Sequence, residues 1–202
     1  MANSNEAQEA DSNTEPILDG YDSMMLQFYL ETLAGQDQEL QLLDMGPVCK
    51  ENILYFSQRV KRFYVCDMFI RMERNRRESK LISTIWDHLD YPAQSFQGIH
   101  LWDLIEHLED RDVSKLVELC HIMLKPKGML MVISFEEQLT PSMINSFVVK
   151  DEYRISLRPQ THLDLPWYYR SNRELTLLLT KFSGVKSFLY RNRIREFLFQ
   201  LE

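Results

Sequence analysis

The feature that most constrains this chain is an alternation, from Leu40 to Phe135, of short apolar runs with stretches whose apolar residues recur at helical spacing. Leu40 to Met45 reads as a strand that stops at Gly46 and Pro47. Ile53, Leu54, Phe56 and Val60 then follow at helical spacing towards a basic end at Arg59, Lys61 and Arg62. Phe63 to Cys66 is a continuous apolar run, as expected of a strand covered on both faces, and Asp67 closes it. Leu81, Ile82, Ile85 and Trp86 predict a third strand, Phe96 to Trp102 another, Val113 to Leu124 a helix, and Met129 to Phe135 a central strand. Strands alternating with helices specify a parallel sheet with helices on both faces. Right-handed crossovers then restrict the topology to a doubly wound, Rossmann-like α/β type.

The flanks are less regular. Residues 1–20 are polar and acidic with almost no large apolar side chain, which predicts a disordered leader, and residues 21–202 then form a single domain. Tyr21 to Leu33 carries helical spacing and reads as a lead-in helix. Residues 136–166 hold three prolines and no clear periodicity, so an insertion or lid is expected there. Ser171 to Phe182 reads as a helix capped by Ser171 or Asn172. Val185 to Tyr190 and Ile194 to Leu201 read as an antiparallel C-terminal hairpin.

Charge and cysteine usage narrow the function classes. The net charge is -7, but Glu6, Glu9, Asp11, Glu15, Asp19 and Asp22 precede any Lys or Arg, so the remainder is nearly neutral. Acidity therefore says little about partners. The basic stretch Arg71 to Lys80 is interrupted by Glu73 and Glu78 and reads as a solvated helix face, so nucleic acid is not indicated. Arg191, Arg193 and Arg195 alternate and share one face of a strand, expected as a solvent-facing hairpin edge. Trp167 to Arg170 reads either as a substrate lid or as core. Cys49, Cys66 and Cys120 form no CxxC pair, which argues against disulfides and metal. No apolar run is long enough to span a bilayer, and the expected location is cytoplasmic.

In an open parallel sheet, ligands bind beyond the carboxyl ends of the strands. Those ends are Asp44 to Gly46, Asp67, the region of Asp87, and Trp102 with Asp103. Asp67 lies 21 residues after Gly46, the spacing of a carboxylate that accepts from a ribose diol; the alternative is that it caps the following helix. With only 6 glycines in 202 residues, any loop that cradles a cofactor is built with few of them.

The run Leu42-Leu43-Asp44-Met45-Gly46 resembles the first motif of class I S-adenosylmethionine-dependent methyltransferases (type 11-like), and Phe63 to Asp67 resembles their second. Ser95 to Leu108, containing Glu106-His107-Leu108, and Leu124 to Leu130 are similar to that family's fourth strand, its Glu-His-Leu segment and its Leu-Lys-Pro-Gly-Gly turn. The resemblance implies S-adenosylmethionine as cofactor, held around Asp44, Gly46, Asp67, Asp87 and Trp102. It further implies methyl transfer to a small-molecule acceptor, with Asp103 and His107 as candidate general bases. The first motif is degenerate, with Val48 and Lys50 where the family has its later glycines. A β-branched residue resists the positive φ that glycine supplies, so Val48 is expected to hinder the cofactor's approach. That erosion raises the second reading, a non-catalytic methyltransferase-fold scaffold or subunit that binds a protein partner.

Overall fold

A computed structural model describes residues 18–36, 39–136 and 143–202. The main sheet has six strands in the order β3-β2-β4-β5-β9-β8: β2 (Gln41–Asp44), β3 (Arg62–Val65), β4 (Phe96–Trp102), β5 (Leu124–Phe135), β8 (Ser183–Leu189) and β9 (Ile194–Gln200). β2 pairs in parallel with β3 and β4, and β4 with β5; β9 runs antiparallel to both β5 and β8. The doubly wound class and the antiparallel C-terminal hairpin are thus as expected.

Alternation along the buried strands sends neighbouring side chains into two separate cores. Leu42, Met129, Met131 and Ile133 pack towards helices α1 (Met24–Gln36) and α2 (Lys50–Ser57). Leu43, Leu130 and Val132 pack towards α3 (Met68–Arg77), α4 (Asp110–Met123) and α5 (Asn172–Leu178). Gly98, at the centre of β4, admits the Tyr29 ring: a Cβ there would stand 1.8 Å from its hydroxyl oxygen. Ser171 caps α5 in a reciprocal box with Glu174.

Two expectations are corrected. Leu81 to Trp86 does not form a third strand; Ile82–Leu89 is a 3-10 helix. Its buried residues, Ile85, Trp86 and Leu89, fall on one face, while Leu81 is 75% exposed and its carbonyl accepts from Thr84 within the turn. The continuous apolar run of a covered strand is lacking. Arg195 does not lie on a solvent-facing edge but is buried at 4% exposure, with its guanidinium donating to the carbonyls of Phe135 and Arg170.

The segment expected as an insertion carries β6 (Asn145–Val149) and β7 (Arg154–Pro159), with residues 137–142 outside the described residues. These strands pair with each other and with β1 (Leu18–Asp22) in a three-stranded antiparallel sheet ordered β1-β7-β6. Residues 1–17 of the expected leader lie outside the described residues, while its last three belong to β1. Among the described residues no helix is long and apolar enough to cross a membrane, and no His, Cys, Asp and Glu cluster could hold a metal ion.

Candidate functional site

The order β3-β2-β4 places the next strand in the chain on one side of β2 and the one after it on the other, so strand order reverses between β2 and β4. Such a switch point opens a crevice at the carboxyl ends of the strands, the usual ligand seat of this architecture. Four of the expected residues, Asp44, Gly46, Asp67 and Trp102, surround it.

The Gly46–Lys50 turn links β2 to α2. None of its residues has positive φ, so Val48 and Lys50 stand where the glycines were expected without backbone strain. The reason is the path of the turn: the Val48 amide donates to Asp67 Oδ2 at 2.9 Å, and the 58% exposed Val48 side chain points out to solvent. Asp67 also caps α3, its Oδ1 accepting from the Ile70 amide at 2.9 Å. A carboxylate has about four lone-pair sites, so these two bonds leave capacity on both oxygens of the partly exposed Asp67.

Asp44, one strand away, is closed in. Its Oδ1 accepts from the Gly46 amide at 2.8 Å and from the Trp102 indole N–H at 2.6 Å, and the residue is 4% exposed. Burial pushes its pKa up to about 7, against the two hydrogen bonds that favour the anion. Trp102 reaches it through an irregularity: the β4–β5 register shifts between His100 and Trp102, and Trp102 has φ 51, an uncommon conformation for a bulky residue. The indole is pressed against Gly46, where a Cβ would stand 2.3 Å from indole Cδ1. From the other side Phe147 of β6 stacks on it, with ring centroids 5.4 Å apart and planes 6° off parallel.

The second sheet is fastened over this stack from α2. Asn52 donates through Nδ2 to the Phe147 carbonyl and accepts through Oδ1 from the Val149 amide, each at 2.8 Å. Glu51 forms an ion pair with Arg158 of β7 at 2.6 Å. Beneath lies His100, with both ring nitrogens unpartnered and a pKa lowered to about 3 by burial, which keeps it neutral among Tyr29, Phe56 and Trp102.

The other expected residues lie elsewhere. Asp87 is exposed on the 3-10 helix and not at a strand end, a consequence of the missing strand. Asp103 and His107 follow β4 as a buried pair, with His107 Nε2 3.6 Å from Asp103 Oδ2 and Nδ1 2.9 Å from the Pro166 carbonyl. Burial disfavours charge on the ring, yet Asp103 and the Pro166 carbonyl outweigh it and hold the His107 pKa above its ordinary value. With Nδ1 within hydrogen-bond distance of the Pro166 carbonyl and Nε2 facing Asp103, the buried ring fastens Pro166 to the end of β4. Asp103 keeps one buried oxygen, Oδ1, without a hydrogen-bond partner.

Sequence reasoning did not single out Asn52 or Phe147, and it met Glu106 only as part of the Glu106-His107-Leu108 segment, without a role. Glu106 sits in the turn after Asp103 and accepts from the Ser134 hydroxyl, the Phe135 amide and the Trp167 indole. Burial raises its pKa to about 7. Trp167, read as lid or core, is therefore anchored by its N–H. Arg170 donates to the Ile105 and Leu108 carbonyls and to Asp110, closing the same corner. These contacts join residues 28 to 65 positions apart and leave no local pattern in the sequence.

No protein-family model matches the chain, and no curated protein matches it in sequence. Solved structures do match. An S-adenosylmethionine-dependent methyltransferase from Aquifex aeolicus is 15% identical with a TM-score of 0.52, over 85% of this chain and 88% of that one. One from Mesorhizobium loti is 13% identical with a TM-score of 0.52, over 84% and 96%. The N-methyltransferase NodS from Bradyrhizobium japonicum is 14% identical with a TM-score of 0.51, over 87% and 94%. At these identities the likeness is one of fold: the chain has the fold of class I methyltransferases.

Proposed function

We propose that this chain is an S-adenosylmethionine-binding, methyltransferase-like protein whose cofactor seat is the switch-point crevice, with a small molecule as methyl acceptor. The observation that carries the reading is the Val48–Asp67 hydrogen bond, which ties the turn after β2 to the carboxylate at the end of β3. That bond holds Asp67 at the crevice with lone pairs to spare for a ribose diol.

The fit is uneven across the crevice. The nucleoside side, at Asp67 and the turn, suits the cofactor. The amino-acid side does not suit it while Trp102 fills the space beside Gly46 and takes the inner oxygen of Asp44. The cofactor would bring the reactive methyl group when bound, and this chain's part is to seat it and exclude water. The filled amino-acid side also favours a second reading, a methyltransferase-fold subunit that has given up tight cofactor binding and serves a protein partner.

Calorimetric titration of the purified protein with S-adenosylmethionine and S-adenosylhomocysteine, repeated on Asp67→Ala, separates the two. Binding near ~1 μM that is lost in the variant supports the cofactor seat. Absence of binding up to ~1 mM by protein that is folded by circular dichroism overturns it and leaves the partner-binding reading.

A further inference from the structure

We infer that Trp102 is a displaceable internal plug of the crevice, held shut by the β6 cover, and that a ligand carrying a charged amino-acid group enters only when the indole leaves. The inference rests on the cofactor reading above and adds how the site is regulated.

Three features of Trp102 support it together. Its N–H occupies the Asp44 oxygen nearest Gly46, so a ligand ammonium group would compete for that same acceptor. Its ring stands against Gly46 closely enough to exclude even a methyl group, so nothing else shares that space. Its backbone is in the left-handed region, a conformation disfavoured for a bulky side chain and one that persists only where surrounding contacts hold it.

Those contacts come from a separate layer. Phe147 stacks on the indole, and Asn52 fixes the β6 backbone on both sides of Val148, donating to the Phe147 carbonyl and accepting from the Val149 amide. Asn52 and Glu51 occupy the first turn of α2, directly after the loop that forms the seat. A shift of that loop therefore pulls on Asn52 and, through it, on β6. The plug and its cover are linked to the ligand seat by one short piece of chain. In this view Asn52 is a positioning residue that acts through Phe147.

The test compares binding of two probes, S-adenosylmethionine and adenosine, which lacks the amino-acid group, by calorimetry on the wild-type chain, Trp102→Phe, Trp102→Ala and Asn52→Ala. Circular dichroism serves as the folding control for each. Trp102→Phe keeps an aromatic ring while removing the bond to Asp44 and the part of the indole that presses on Gly46, so it carries the test if Trp102→Ala does not fold. The expected result is tighter S-adenosylmethionine binding than wild type in every folded variant, by about tenfold or more in Trp102→Ala and less in Trp102→Phe, with adenosine changed by less than about threefold. A role for Asn52 limited to stability would weaken binding in Asn52→Ala, not strengthen it.

If wild type and variants bind S-adenosylmethionine equally, or the variants bind it more weakly, the plug is overturned and the cofactor reading stands. If all bind adenosine and none binds S-adenosylmethionine, the plug is again overturned, because something other than Trp102 excludes the amino-acid end. If no folded protein binds either probe, the cofactor reading itself falls, and the plug with it.

Discussion

Asp44 and Asp67 end neighbouring parallel strands, yet they live in opposite circumstances. Asp44 is sealed beneath an indole and a phenyl ring, and burial pushes its pKa up to about 7. Asp67 is partly exposed, accepts two backbone amides and keeps lone pairs available. The difference comes from what stands beyond each strand. Next to Asp44 is β4 with its irregular end, which turns Trp102 inward; next to Asp67 is the start of α3, whose free amides need a cap. One carboxylate has become part of a core, and the other has stayed at a surface. Equivalent positions in a fold do not guarantee equivalent chemistry.

The sharpest way to break this contrast is to remove the seal. Trp102→Ala deletes a side chain that is 2% exposed and leaves a cavity between Gly46 and Phe147, so unfolding in urea should show a loss of about 3–5 kcal/mol. A loss below ~1 kcal/mol would mean that Phe147 and Asp44 close over the gap and that the seal is not a packed core.

Protonation tests the same region. Because the Asp44 pKa is raised on folding, its contribution to stability is full below about pH 4, its unfolded range, and is lost as pH rises through about 7. Asp44→Asn keeps an acceptor for Trp102 and Gly46 and removes the titration. Between about pH 4 and 7 it should flatten the fall in stability by up to ~1.4 kcal/mol per pH unit. Glu106, also raised to about 7, leaves a residual slope in the variant. An unchanged profile would place the Asp44 titration outside this window.

The smallest effect belongs to the open side. Asp67→Ala removes the α3 cap and the acceptor of the Val48 amide, and the same denaturation should register about 1 kcal/mol, typical of a lost N-cap. A cost as large as that of Trp102→Ala would erase the contrast between a sealed and an open carboxylate.

Much of the frame was legible because it is written in local patterns. β2, β4 and the second half of β5 are buried on both faces and show as apolar runs, whereas β3, read as a covered strand from its apolar run, is a half-exposed sheet edge; α4 shows as Val113, Leu116, Val117 and Cys120 at helical spacing. The Asp44, Gly46 and Asp67 trio followed from strand ends and the 21-residue spacing. The missing third strand was misread because a short apolar run does not distinguish a strand from one buried face of a tight helix. Arg195 was misread because alternation reports a shared face and not the presence of acceptors, here Ser134, Phe135 and Arg170, that make burial tolerable. The second sheet and the Trp102–Asp44 bond escaped altogether, since both depend on pairings between distant segments. Val48 and Lys50 were the visible sign that the seat is unusual, although the strain expected of Val48 is absent because its turn needs no positive φ.

The pairing of β1 with β7 has a consequence in time. Leu18 meets Leu157, and the Tyr21 hydroxyl donates to Glu196, 175 positions further along the chain. On a ribosome the first of these segments emerges long before the others, and contacts so remote in sequence close late. β2, α2, β3 and β4 can therefore assemble while no Phe147 yet lies over Trp102. The nascent protein passes through an interval in which its crevice has walls and floor but no roof.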